Sequence, residues 1–293
     1  VKLFLQQLVN GLGVGAQYAL WTVGYGLVYQ VLGLMHFAHG DTLIFATFVC
    51  FTLVASGVPF LLAGLVAIAV AAVLSVAIER TVYRPLIRRG EAFLAFVAAL
   101  AAAFVIRNAV QLIWGNRTRV FPHDLLPQRT FEVAGIRFSS MPLLNLACAL
   151  LIVACFQQYL KRTRSGQAIV AVSQDREAAA MVGIGVNRTV ALVYALSGAI
   201  GMVGLLLYVA SFSSLTLGLG FSVTLKAFIA AIIGGIGSVR GAVIGGLALG
   251  VLEAMIGGYV STLLQDAIVF SALALFLVYR PTGFIGRREA VKL

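Results

Sequence analysis

Charge is what this sequence has least of. Only 11% of its 293 residues are Asp, Glu, Lys or Arg, where soluble domains carry roughly 25%. With 61% hydrophobic residues and a mean hydropathy of +1.03, so few charges cannot cover the apolar surface of a water-soluble fold. Soluble enzymes, nucleic-acid readers and disordered scaffolds are set aside, and the solvent is largely lipid. Histidine is scarce too: His36, His39 and His123 are the full set, and neither an H-E-x-x-H helix nor a G-x-S-x-G elbow occurs, so an intramembrane enzyme has little support. The three cysteines, Cys50, Cys148 and Cys155, lie in apolar stretches without C-x-x-C spacing and read as small hydrophobes.

What is abundant is apolar sequence of membrane-crossing length, about 20 residues per span. Such runs fall near 6–32, 41–56, 60–78, 92–114, 141–160, 189–210, 224–239, 241–257 and 264–279. They predict an all-α polytopic bundle of eight to nine spanning or partly spanning helices, forming one membrane domain over 1–293. The first run is too long for a signal-peptide core and reads as a retained span. Fourteen of the 21 basic residues, including Arg80, Arg84, Arg88, Arg89, Lys161, Arg162, Arg164, Arg240, Arg280, Arg287, Arg288 and Lys292, fall on one side of this topology. Lys2, Arg117, Arg119, Arg129 and Arg137 fall on the other. By the positive-inside rule the N-terminus is outside and the C-terminus cytoplasmic, so the net charge of +11 records orientation rather than a polyanionic partner.

Two glycine-rich breaks interrupt the spans. One is Gly33–Asp41, containing His36, Phe37, His39 and Gly40; the other is Gly234–Gly241, with Gly235 and Gly237. Each is either a substrate-path break in a discontinuous helix or a tight turn at the membrane surface. Gly237, Gly241 and Gly245, like Gly246 and Gly250, recur every four residues, a spacing that lets another helix backbone approach. Asp41 either lines a path or N-caps a helix from Thr42, and capping is favoured. His36 and His39 read as turn residues rather than metal ligands. Lys226 and Glu253 are either pathway groups or, respectively, a snorkelling lysine and a packing acid. Glu79, Arg80 and Asp266 sit at span ends and read as interface residues.

The segment 161–188 is the longest conspicuously polar stretch on the basic side. Ser173 as N-cap, Asp175 and Glu177 in the first turn and Gly183 at C′ predict a helix of about two and a half turns, too short to stand without a packing partner. The alternative is a solvated loop with a single helical turn.

Glu177-Ala178-Ala179 followed after three residues by Gly183 resembles the EAA-x-x-x-G core of the coupling helix in ABC-importer permeases. The downstream Ile-x-Leu-Pro of the commonest importer classes is absent. Phe37–Asp41, Ala227–Ala242 and residues 174–208 with Arg176-Glu177-Ala178-Ala179 are similar to the branched-chain amino-acid permease group, LivH-type, along essentially the whole chain. That resemblance implies an inner-membrane transport subunit, not itself an enzyme. Its implied partners are a second, LivM-like permease, two cytoplasmic ATP-binding subunits docked on coupling helices, and a periplasmic binding protein delivering leucine, isoleucine or valine. No G-x-x-x-x-G-K-[ST] loop is present, so ATP and Mg²⁺ would be used by the partners, with no cofactor or metal bound here. Urea or a short amide is the alternative cargo. An ion-gradient transporter working through Asp41, Glu253 and the histidines is the alternative class.

Overall fold

The computed structural model describes residues 2–89, 92–122, 125–126, 130–133, 136–280 and 283–285. His123, Arg129, Arg287, Arg288 and Lys292 lie outside the described residues.

Helix α1 (Lys2–Leu32) is the axis of the bundle. Sixteen of its 31 residues are buried, and α6 (Ser140–Arg162), α9 (Val186–Phe212), α10 (Leu219–Gly234) and α11 (Val239–Tyr259) pack around it. Its central place explains its composition: shielded from lipid, it can carry Gln17, Tyr18, Thr22 and Tyr25 where an outer helix could not. Around it run α2 (His39–Ala55), α3 (Phe60–Ile78), α5 (Ala92–Trp114) and α12 (Gln265–Tyr279). Among the described residues five helical stretches are long and apolar enough to cross a membrane, and α2, α10 and α12 are shorter apolar helices. With α1 these match the nine expected segments.

Beyond α3 a π-helical turn (Glu79–Tyr83) leads into α4 (Arg84–Arg88). Both Glu79 and Tyr83 end up buried. Glu79 is therefore no ordinary interface residue: Arg84 donates to both its carboxylate oxygens at 2.9 and 2.8 Å and to the Asn187 carbonyl at 3.1 Å. Opposite this end of the bundle, two short strands, β1 (Arg119–Val120) and β4 (Ser214–Leu215), pair antiparallel, and β2 (Thr130–Val133) with β3 (Ile136–Ser139) forms a hairpin.

The glycines of α11 serve two neighbours. A Cβ at Gly241 or Gly245 would collide with the Gly234 or Ala230 carbonyl of α10, while one at Gly246 or Gly250 would collide with the backbone of Ala19 or Gly15 in α1. Gly237 does not extend this stripe, because it lies in the turn before α11 with φ +86°.

Between α6 and α9 the polar segment holds two helices, α7 (Arg164–Gln174) and α8 (Arg176–Met181). Thr163 caps α7, accepting from the Gly166 N–H at 3.0 Å, and Ser173 lies inside that helix, donating to the Val170 carbonyl. Ser173 is thus not the cap of the second helix. Asp175 is, accepting from the Glu177 and Ala178 N–H groups at 2.9 Å each. Gly183, φ +84°, ends α8 in a Schellman arrangement, with bonds from the Gly183 N–H to the Ala180 carbonyl and from the Ile184 N–H to the Ala179 carbonyl.

Candidate functional site

The two glycine-rich breaks turn out to be different objects. At Gly234–Gly241 the chain makes a tight turn. Gly235 takes φ +101°, which stops α10 at Gly234, several residues before the end of the apolar run. The chain after α12 returns here, its Phe284 and Ile285 N–H groups bonding the Ile233 and Gly234 carbonyls that α10 leaves free.

The first break lies within the bundle. The His39 ring occupies space left by Gly24 of α1 and Gly201 of α9, positions well inside both helices. Helix α2 therefore starts at depth rather than at a surface. Asp41 does not cap it. The Gly40 N–H donates to Thr224 Oγ1 of α10 at 2.9 Å, so a residue 184 positions away supplies the cap. Gly40 is required there, since a Cβ would collide with the Gly220 carbonyl.

Asp41, 2% exposed, instead accepts from Arg107 of α5 in a fork: Nε to Oδ1 at 3.0 Å and Nη2 to Oδ2 at 3.1 Å. Arg107 was missed in the sequence reading because the span 92–114 is apolar on average. A lone arginine inside a span, seven residues from its Trp114 end, is nevertheless the kind of costly residue that marks function in a membrane. The guanidinium lies 5.8 and 5.9 Å from the ring centroids of Phe104 and Phe221. It borders a cavity of about 190 Å³ lined also by Phe37, Leu100 and Ala103.

A second charged group lies among α1, α10, α11 and α12. Lys226 Nζ is 2.9 Å from the Glu253 carboxylate, and Tyr18 donates to the same carboxylate at 2.6 Å. Gln265 adds a 3.2 Å bond, and Asp266 approaches Lys226 at 3.9 Å. Lys226 does not snorkel away from the protein; it neutralises Glu253. Both deep carboxylates thus face a cation.

His36 and His39 are buried, with Nδ1 of His36 2.8 Å from Tyr83 Oη and Nδ1 of His39 3.4 Å from Ser197 Oγ. Among the described residues no group of three or more His, Cys, Asp or Glu side chains could hold a metal.

At the basic end, α8 is fastened through two of its residues. Ala179 is buried, and the half-buried Arg176 donates through Nη2 and, at 2.9 Å, through Nε to the Val31 carbonyl at the end of α1. Burial lowers the Arg176 pKa from its usual value, partly offset by Tyr194. Glu177 and Ala178 are exposed, as are Met181 (85%) and Val182 (76%).

Residues 7–279 match the family described as branched-chain amino acid transport system / permease component. The chain belongs to this family. It is 34% identical to the high-affinity branched-chain amino acid transport system permease protein BraD of Pseudomonas aeruginosa, over 99% of this chain and 98% of that one. To LivH of Escherichia coli K12, named for the same transport system, it is 33% identical over the same shares. Among solved structures, a chain of PsaBC from Streptococcus pneumoniae, in complex with Fab, superposes with a TM-score of 0.53 at 14% identity, over 97% of this chain and 92% of that chain. That likeness speaks for the fold alone. Within this fold the arrangement offers a short, doubly capped helix at one end, a charged aromatic cavity beside Arg107 and an ion-paired cluster between helices, with no metal-ligating group among the described residues.

Proposed function

We propose that the chain is the membrane-spanning subunit of an ATP-driven importer that carries branched-chain, hydrophobic amino acids across the inner membrane. Its partners are a second, LivM-like permease, two cytoplasmic ATPases that use ATP and Mg²⁺, and a periplasmic binding protein that delivers the substrate. The N-terminus faces outward, and the basic end with α7 and α8 faces the cytoplasm.

The observation that carries this reading is the construction of α8. A six-residue helix has no stability of its own in water. Here it has an N-cap, a Schellman C-cap and a cation tying it to the end of α1, yet it leaves Met181 and Val182 in the open. Beside them is a hollow of about 500 Å³ lined by Ala168, Gly183, Ile184 and Arg188 among others. A rigid, externally anchored element with an apolar tip is suited to seat in a groove of an ATPase subunit. Movement of that subunit during the nucleotide cycle then pushes on the bundle.

The test is reconstitution of the complete complex in vesicles. Glu177→Arg reverses an exposed charge, and Gly183→Leu forces a branched side chain into a left-handed backbone position, costing roughly 1–2 kcal/mol. Both variants are expected to remain inserted while losing ATPase capture and ATP-dependent leucine uptake. Unchanged uptake in both removes the docking assignment.

A further inference from the structure

Arg107 has an unused side. Asp41 occupies its Nε and one Nη2 hydrogen, and among the described residues Nη1 meets no acceptor. A guanidinium has five N–H donors arranged as forks, so the remaining Nη1/Nη2 edge is geometrically ready for a second carboxylate. Its side chain is 28% exposed while Asp41 is 2% exposed, so the charge opens on the cavity side. The walls there are Phe37, Leu100, Ala103, Phe104 and Phe221. Arg107 lies seven residues inside the Trp114 end of α5, and lipid tails cannot solvate a half-open guanidinium there, so this face must meet protein or a water-filled path.

We propose that this cavity is a transit site for an amino-acid zwitterion. The free edge of Arg107 takes the α-carboxylate, and the phenylalanine and leucine walls take an apolar side chain. Asp41 is a positioning residue: it fixes the guanidinium plane and, by neutralising part of its charge, keeps the site from holding the substrate too tightly to release. The fit distinguishes cargo classes, because urea or a neutral amide has no carboxylate for the fork. This inference rests on the importer reading and narrows it.

Two measurements on the reconstituted complex test it. In the wild type, modification of Arg107 by phenylglyoxal, followed by mass spectrometry of the peptide, is expected to slow in the presence of L-leucine and to be unaffected by L-leucine amide. Equal protection by both, or by neither, overturns the site. In the Asp41→Asn/Arg107→Gln double variant, which keeps a hydrogen-bonding pair without the charges, leucine moved per ATP hydrolysed is expected to fall on the order of tenfold, the loss of one charge-assisted hydrogen bond. Arg107→Lys, which retains charge without the fork, is expected to fall similarly. A wild-type ratio in the correctly folded double variant also overturns the proposal. Wild-type vesicles that fail to move leucine on addition of ATP overturn the importer reading beneath it, while phenylglyoxal protection still reads the site itself.

Discussion

The Lys226–Glu253 pair supplies the most quantitative prediction. At 2.9 Å and an effective dielectric of about 20, the Coulomb attraction is roughly 6 kcal/mol before desolvation is subtracted. Glu253 is 3% exposed, so Lys226→Met leaves a buried carboxylate supported only by Tyr18 and Gln265. Removing one partner of a buried pair costs about 3–5 kcal/mol, and the lower end applies here because the lysine side chain retains 18% exposure and two neutral donors remain. Glu253→Gln alone strands the lysine, though less severely, since its ammonium stays 3.0 Å from Tyr18 Oη and near Asp266. The double variant strands neither charge. Its destabilisation is expected to be smaller than the sum of the two singles by at least about 2 kcal/mol. Equilibrium unfolding of the purified chain in mixed micelles, followed by tryptophan fluorescence, measures all four corners of the cycle. Additivity within about 0.5 kcal/mol would show that the two side chains do not neutralise one another, and the account of the cluster would fail.

Asp175→Ala removes both side-chain cap bonds of α8 and is expected to cost about 1 kcal/mol locally, read as faster amide exchange over 176–181 with the membrane helices unchanged. Gly250→Val pushes a branched side chain into the backbone of α1 at Gly15; loss of well-folded protein in detergent is expected, and normal yield with an unchanged melting curve would contradict the close packing. Arg176→Ala unties α8 from Val31 and is expected to lower leucine transported per ATP hydrolysed while ATPase capture survives; an unchanged ratio would show the tie to be dispensable.

The helical scaffold could be read from the sequence wherever a boundary has a local cause. The run 60–78 and helix α3 start together because Pro59 precedes it, whereas the helical chain continues past Glu79–Arg80 through the π-helical turn into α4. Boundaries with distant causes were not legible. Helix α2 starts at His39 rather than at Thr42 behind an Asp41 cap because its cap comes from Thr224, and nothing near residue 39 announces that. The 161–188 segment was recognisable as helical, but Ser173 and Asp175 compete as caps on equal local terms. The choice falls to Asp175 because α7 packs Ile169 and Val172 into the bundle and so carries Ser173 along inside it. Arg107 vanished into the average of its span, although its unpaired insertion cost was a usable signal.

The stretch from Val31 to Asp41 joins the contact with α8 to the cavity within eleven residues. Val31 receives Arg176, Gly33 turns the chain at φ +67°, Phe37 lines the cavity wall and Asp41 holds Arg107. The turn at Gly33 has open space around it, whereas His39 and Gly40 are locked against α1, α9 and α10. A displacement of α8 that pulls on Val31 therefore has two outlets: the chain yields at Gly33, or the end of α1 moves with α8. The buried Val31 and Val28 favour the second, since packed side chains transmit motion where an open glycine turn absorbs it. Contiguity of this kind is necessary for coupling without demonstrating it. The Arg176→Ala measurement supplies what contiguity lacks, because it cuts the tie at Val31 while leaving both the exposed face of α8 and the cavity lining intact.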